Sequence, residues 1–202
     1  MKAYLAGPDV FLPNAAEHAA RKIAIAARYG ITGLAPLDDA STAAMSEDEA
    51  WRAIFHKDIA MMEASDIIIA NLTPFRGASA DAGTLVELGW FLGRGKPVFG
   101  YTNCGTLFAD RSRAQSLLAP ELAAGLMHES FGLADNLMVV GAVMFGGSCP
   151  LVMPDGADNQ SFGSLSVFER CVALAAGGER GAGRSLSPEG MIPSPLKSYE
   201  LP

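Results

Sequence analysis

In the stretch DAGTLVELGW, residues 81–90, Glu87 is the one charged residue between Ala82 and Gly93. Leu85, Val86, Leu88, Trp90, Phe91 and Leu92 surround it. An ionised carboxylate is costly to bury in such company unless it is paired. A buried salt bridge is one answer. The other is chemistry: a carboxylate held anionic in a dry, apolar cleft can attack an electrophilic carbon. Two more acids accompany it. Asp81 opens the same segment, where a plain helix N-cap is the structural alternative. Asp58 shares a helical face with Ile54, Phe55 and Met62, and could be paired there with Lys57 or Arg52. Read together, the three acids suit a nucleophile and a protonated acid that assists the leaving group. That is the two-carboxylate logic of retaining glycosidases.

Such chemistry needs elements that bring the acids to one edge. AYLAG (3–7), ITGLAP (31–36), DIIIANL (66–72) and KPVFGYT (96–102) read as strands, and NLMVVGAV (136–143) reads as a fifth. A helix is expected over 14–30, with Asn14 as N-cap and Gly30 just past its end. Ser46 and Glu49 form an S-x-x-E capping box that starts a second helix carrying Asp58. The Glu87 segment forms a third, to about Gly93, and helical regions are expected around 111–127 and over 162–177. The alternation predicts a single-domain α/β fold over 1–176, with a mainly parallel five-stranded sheet and helices on both faces, flavodoxin-like or Rossmann-like. The segment 177–202 is a Gly/Pro/Ser-rich tail.

Ligands in open α/β sheets bind beyond the carboxyl ends of the strands. Four segments answer to that: GPDVF, PLDD, TPFRGASADAG and YTNCG. Glu87 lies one to two turns inside a helix that begins at this edge. Its side chain leans back toward the helix N-terminus, whose dipole favours the anion. Gly83 permits close approach of a ligand. No G-x-G-x-x-G follows the first strand and no G-x-x-x-x-G-K-[ST] occurs, which argues against dinucleotides and triphosphates.

Composition excludes other classes. The chain has 202 residues, 50% of them hydrophobic and only 18% charged, with nine Met and ten Phe. A real core is affordable at this length, and the low charge suggests surface covered by subunit contacts. A net charge of −7 makes a poor match to DNA or RNA. Cys104, Cys149 and Cys171 are far apart, and His18, His56 and His128 lack metal-ligand spacing. No apolar run reaches the roughly 20 residues of a membrane span. The start MKAYLAGPDV breaks too early for a signal segment, so the expected location is the cytoplasm.

At this point the sequence resembles the nucleoside 2-deoxyribosyltransferases. The resemblance rests on YLAGPDVF (4–11), KDIAMMEASDIIIANLTPFRG (57–77), DAGTLVELGW (81–90) and LADNLM (133–138), in the family's order. It implies cleavage of the N-glycosidic bond of a 2′-deoxynucleoside and transfer of the sugar to a free nucleobase, with no metal or redox cofactor. Glu87 resembles the nucleophile that forms a covalent deoxyribosyl-enzyme. Asp81 and Asp58 resemble the carboxylates that bind and protonate the base, and Tyr4 the tyrosine that orients the nucleophile. Gly7, Pro8, Asp9, Phe11 and Gly83 fall in the substrate-binding segments. Asn136 and Met138 resemble the pair that a neighbouring subunit of a homo-oligomer lends to the sugar. The family's C-terminal carboxylate close behind an aromatic residue is not matched, because the chain runs past Tyr199 to Pro202.

Rival readings remain at this stage. A hydrolase of 2′-deoxynucleoside 5′-monophosphates would need phosphate donors, and GPDVF holds no Arg, Lys or Ser. A phosphoribohydrolase would share GTLVE but lacks the preceding P-G-G. A non-catalytic nucleoside-binding protein would leave Glu87 and both aspartates unexplained.

Overall fold

The computed structural model describes residues 1–37, 42 and 44–177. Four strands, β1 (Lys2–Tyr4), β2 (Thr32–Leu34), β3 (Ile67–Asn71) and β4 (Val98–Tyr101), form one sheet in the order β2-β1-β3-β4. Every pairing is parallel. Helices α1 (Ala15–Arg28), α2 (Glu47–Ala64) and α3 (Ala82–Gly93) follow the first three strands. After β4 come α4 (Phe108–Leu118), α5 (Pro120–Ala123), α6 (Leu137–Gly147) and α7 (Ser166–Gly177). The order matches the flavodoxin-like winding, with its switch between β1 and β3.

The expected fifth strand is the main correction. NLMVVGAV is not a strand but the start of α6. The Asn136 side chain accepts the Met138 N–H at 3.0 Å, an N-cap that commits the backbone to a helix. Val139, Val140 and Val143 then fall on one buried helical face. A short apolar run cannot be told from a strand by periodicity alone. The sheet therefore has four strands among the described residues, and a single parallel bridge between Tyr101 and Val152 stands where a fifth would lie. The expected helix at 111–127 divides into α4 and α5, with Pro120 opening the second. The capping box forms as read: Ser46 N donates to Glu49 Oε2 at 3.0 Å and Glu49 N to Ser46 Oγ at 3.3 Å. Asp38 and Asp39 of PLDD, and the tail beyond Gly177, lie outside the described residues.

Strand alternation decides what each face of the sheet carries. Ala3, Leu5, Ile67 and Ile69 pack with Ile25 and Ala26 of α1 and Phe168 and Val172 of α7. Tyr4, Ala6, Ile68 and Ala70 point the other way, to Met62 of α2, Leu88 and Phe91 of α3, and Val139, Val140 and Val143 of α6. Tyr4 and Glu87 thus belong to the same layer.

Candidate active site

Helix α3 buries Thr84, Leu88 and Phe91, and Glu87 sits on the same i, i+3, i+4, i+7 stripe. A carboxylate occupies a core-facing position. Among the described residues its partner is not a cation. The buried Tyr4 hydroxyl donates to Glu87 Oε1 at 2.6 Å. The Tyr4 ring is fixed in turn against Phe91, with centroids 6.1 Å apart. Burial pushes the Glu87 carboxyl up to about 7, the Tyr4 hydrogen bond pulls it down, and the charges of Asp58 and Asp81 push it up again. Burial first, and then Glu87, hold the Tyr4 hydroxyl far above its ordinary range, so it remains a donor.

Asp58 and Asp81 both lie within electrostatic reach of Glu87, and Asp58 also acts on Tyr4. The four candidate catalytic residues therefore converge, from β1, α2 and the start of α3. Asp81 is at the same time the cap of α3, since Asp81 Oδ2 accepts from Thr84 N at 3.0 Å and Thr84 Oγ1 at 3.2 Å. A side chain at Gly83 would bring its Cβ to 3.1 Å from that oxygen. The alternative pairing for Asp58 loses one candidate: Arg52 binds Asp48 across one helical turn, Nε to Oδ2 3.1 Å.

The segment after β1 divides its residues between two tasks. Gly7 has φ 148°, and a Cβ there would stand 2.6 Å from Asn71 Cβ. Only glycine fits. Pro8 and Asp9 are buried in a short 3-10 turn. Asp9 faces inward, to Lys22 Nζ at 2.7 Å, His18 Nε2 at 3.3 Å and Asn71 Nδ2 at 2.8 Å. Burial opposes its charge, yet Lys22 and the donors from His18 and Asn71 hold the carboxyl well below the usual range. A recess lined by Leu5, Gly7, Asp9, Val10 and Pro36 opens beside it, and no candidate catalytic residue lines that recess. Phe11 is instead 56% exposed and stacks on Phe75 at 5.3 Å. The Arg76 guanidinium covers both rings, 4.7 and 4.6 Å from their centroids. Arg76 itself holds a left-handed backbone, φ 54°.

Asn136 and Met138 stand at the exposed start of α6, and Met138 is 71% exposed. Asn136 Nδ2 donates to Glu129 Oε2 at 2.6 Å. Two residues that sequence reading passed over hold this corner. Asp135, 1% exposed, accepts from Ser79 Oγ at 2.5 Å, Ala80 N at 3.1 Å and Asn136 N at 2.7 Å. Arg111 Nη2 lies 3.6 Å from Asp135 Oδ2, and Arg111 donates to the carbonyls of Ala78, Thr106 and Ala134. The acid before Asn136 was the only sequence signal for this node. Nothing marked Arg111.

Fold and site together define a parallel α/β protein with a carboxylate cluster at the carboxyl edge of its sheet. The family model "Nucleoside 2-deoxyribosyltransferase" matches residues 3–138, and the chain belongs to that family. This makes it an enzyme of the glycosyl-transferring, deoxyribosyltransferase-like kind. An uncharacterized protein of Schizosaccharomyces pombe is 32% identical over 163 residues, 71% of this chain and 77% of that protein. Among solved structures, a 2-desoxiribosyltransferase from Leishmania mexicana is 29% identical with a TM-score of 0.58, covering 87% of this chain and 97% of its own. A conserved protein from Enterococcus faecalis shares the fold at 23% identity and TM-score 0.50, over 85% of this chain and 96% of its own. Among the described residues, no helix is long and apolar enough to cross a membrane.

Proposed function

We propose that this protein is a nucleoside 2-deoxyribosyltransferase working through a covalent deoxyribosyl-Glu87 intermediate. The observation that carries the reading is the pair Tyr4–Glu87, a carboxylate in a core-facing helical position whose partner is a neutral hydroxyl. A structural salt bridge would have placed a cation there. One oxygen of Glu87 attacks C1′ as the C1′–N bond breaks. The bonding pair goes to the base nitrogen, and a proton from Asp81 or Asp58 neutralises it. A second base then attacks C1′ and gives up its proton to the aspartate that protonated the first, while the C1′–O bond breaks with its electron pair returning to the Glu87 carboxylate. Water in its place yields free deoxyribose. The anion beneath C1′ stabilises the oxocarbenium-like transition state, and protonation makes the base a better leaving group. No metal or redox cofactor enters the scheme.

A panel of 2′-deoxynucleosides, ribonucleosides and deoxynucleoside 5′-monophosphates, each offered with a second free base, tests the reading. We expect base exchange, with 2′-deoxynucleosides preferred at least ~10²-fold over ribonucleosides, a discrimination of ~2.7 kcal/mol. Equal rates with adenosine and deoxyadenosine would move the assignment to a general nucleosidase. One observation speaks for the monophosphate hydrolase: Arg76 sets an exposed cation beside Phe11 at the sheet's carboxyl edge. Release of free sugar phosphate, faster from monophosphates and slowed in Arg76→Ala, is the result that would establish that rival.

The two aspartates supply the next expectation. Asp81→Asn and Asp58→Asn slow cleavage most for bases that must be protonated to leave. Unchanged kinetics across bases and pH would leave Asp81 as the cap of α3 and nothing more.

In our reading a second copy supplies the group that holds the sugar hydroxyls. Helix α6 carries no charged residue, and Leu137, Met138, Met144 and Phe145 are exposed on it, as is Val86 on α3. Apolar exposure of this extent suits a covered surface. The Asn136 amide can donate to and accept from a sugar hydroxyl at once. Losing that contact in a buried site costs about 1–3 kcal/mol. Mixing inactive Glu87→Ala with weakened Asn136→Ala chains therefore raises activity above that of either alone, because one site of each mixed pair carries neither defect. Failure to complement after proven subunit exchange returns Asn136 to its own subunit.

A further inference from the structure

The Arg111–Asp135 node has a place in the fold that the chemistry above leaves unused. Asp135 is buried, and its two oxygens hold two separate segments. On one side they accept Ser79 Oγ at 2.5 Å and Ala80 N at 3.1 Å, the residues that lead directly into Asp81 and α3. On the other side they accept Asn136 N at 2.7 Å, at the start of α6. Arg111 repeats the pattern from behind. Nε donates to Ala78 O at 2.8 Å and Nη2 to Ala134 O at 2.8 Å, one carbonyl from each segment. A carboxylate with several donors and a guanidinium fork is a stiff joint, because each bond is charge-assisted and directional. Nothing softer intervenes: Asp81 follows Ala80, and Asn136 follows Asp135.

We propose that Asp135, braced by Arg111, is a positioning residue for two active sites at once. It sets the Asp81 loop of its own site, and it sets the Asn136 that its subunit presents to the neighbour's site. The inference rests on the shared-site reading given above. It goes further in making one buried group the mechanical link between the two sites of a pair. A shift of the Asp81 loop as the base is bound or released is passed through Asp135 to the sugar contact of the adjoining site.

Mixed assemblies purified through two different tags separate the two roles. The reference pairs a wild-type chain with a Glu87→Ala chain, so only the wild-type chain's own site works. Adding Asp135→Asn to the Glu87→Ala chain alters only the Asn136 that completes that site. Placing Asp135→Asn on the other chain alters only the site's own Asp81 loop. Both arrangements lose at least ~10-fold in kcat/KM, since a hydrogen-bonded buried charge is removed. The first loses it mainly through KM, because Asn136 binds the sugar throughout. The second loses it mainly through kcat, because Asp81 acts as the base leaves. Ser79→Ala loosens the joint from the Asp81 side, at the Asp135 oxygen that also holds Asn136 N, and reproduces the kcat effect in its own site with a smaller KM effect in the partner's, which keeps the test readable if Asp135→Asn does not assemble. Activity equal to the reference in either arrangement, or a Ser79→Ala effect confined to its own site, overturns the link. Absence of complementation between Glu87→Ala and Asn136→Ala chains instead overturns the shared site itself.

Discussion

Glu87→Gln gives a folded protein that has lost at least ~10³-fold in transfer rate, ~4 kcal/mol of barrier. Glutamine keeps the shape of the side chain, and its amide oxygen can still accept the Tyr4 hydroxyl. It cannot attack C1′. The expectation is sharpened by what surrounds the group. Were Glu87 one half of a buried ion pair, its removal would orphan a cation, at a cost of about 3–5 kcal/mol in stability. Its partner is Tyr4, a neutral hydroxyl that the substitution leaves satisfied. Loss of activity and loss of stability are thus separable here. Base exchange gives the rate, circular dichroism the fold, and mass spectrometry after an acid quench the intermediate. Wild-type chain should carry one added deoxyribosyl group on the peptide that contains Glu87, and Glu87→Gln none. A folded variant with near-normal exchange would end the nucleophile assignment.

The sequence revealed more of the elements than of their contacts. DIIIANL reads as a strand because apolar residues follow one another without a break, as a strand covered on both faces requires. The start of α2 was legible because the capping box is local, complete within Ser46–Glu49. The same locality failed for NLMVVGAV. The seven apolar residues after Asn136 satisfy both periods, and only the Asn136 side chain turning onto Met138 N decides for a helix. The bridge between Val152 and Tyr101 went unread for a related reason. Leu151 and Val152 are buried, but only three residues stand between Pro150 and Pro154, too few to make a pattern.

The site shows the same division. Glu87 was legible as one acid in an apolar helix. Asp81 was legible as a cap, and the structure gives it that bond while also bringing it close to Glu87. Tyr4 came only from the resemblance, since nothing within AYLAG distinguishes it. Strand alternation puts it with Ala6 on one face, but whether α3 covers that face is a matter of winding. Asp9 was read with the substrate segment, and its carboxylate turns out to be engaged by Lys22, which is 2% exposed. Asp135 and Arg111 were beyond reach. Ser79 and Asp135 are 56 residues apart in the chain, and their contact exists only once α6 lies beside α3.

The remaining large effect is on stability, and its sign follows from burial. The Glu87 carboxyl is raised from 4.5 to about 7 in the folded chain. Below pH 4.5 both states are protonated and the group is neutral in the balance. Between pH 4.5 and 7 the unfolded chain ionises first, so ionisation favours unfolding. Above pH 7 both states are charged and the penalty is complete. A displacement from 4.5 to about 7 corresponds to ~3 kcal/mol against the fold at pH 8. Glutamine has no such titration. The stability of Glu87→Gln relative to wild type therefore rises by ~3 kcal/mol from pH 4.5 to pH 8, most of it between pH 5 and 7. Whatever the amide costs in packing or hydrogen bonding is independent of pH, so the slope carries the test. Urea midpoints of both proteins at four or five pH values measure it, and a flat difference would mean that Glu87 is not held in a dry site. Tyr4→Phe gives the complementary result. The Tyr4 hydroxyl favours the charged carboxylate, so its loss raises the Glu87 carboxyl further and steepens the decline of stability with pH. In kinetics we expect an ascending limb of kcat/KM set by Glu87, and Tyr4→Phe should move it to higher pH. The group that the fold would hold more easily as glutamine is the one the proposed reaction needs as an anion, which is the usual relation between a strained site and its scaffold.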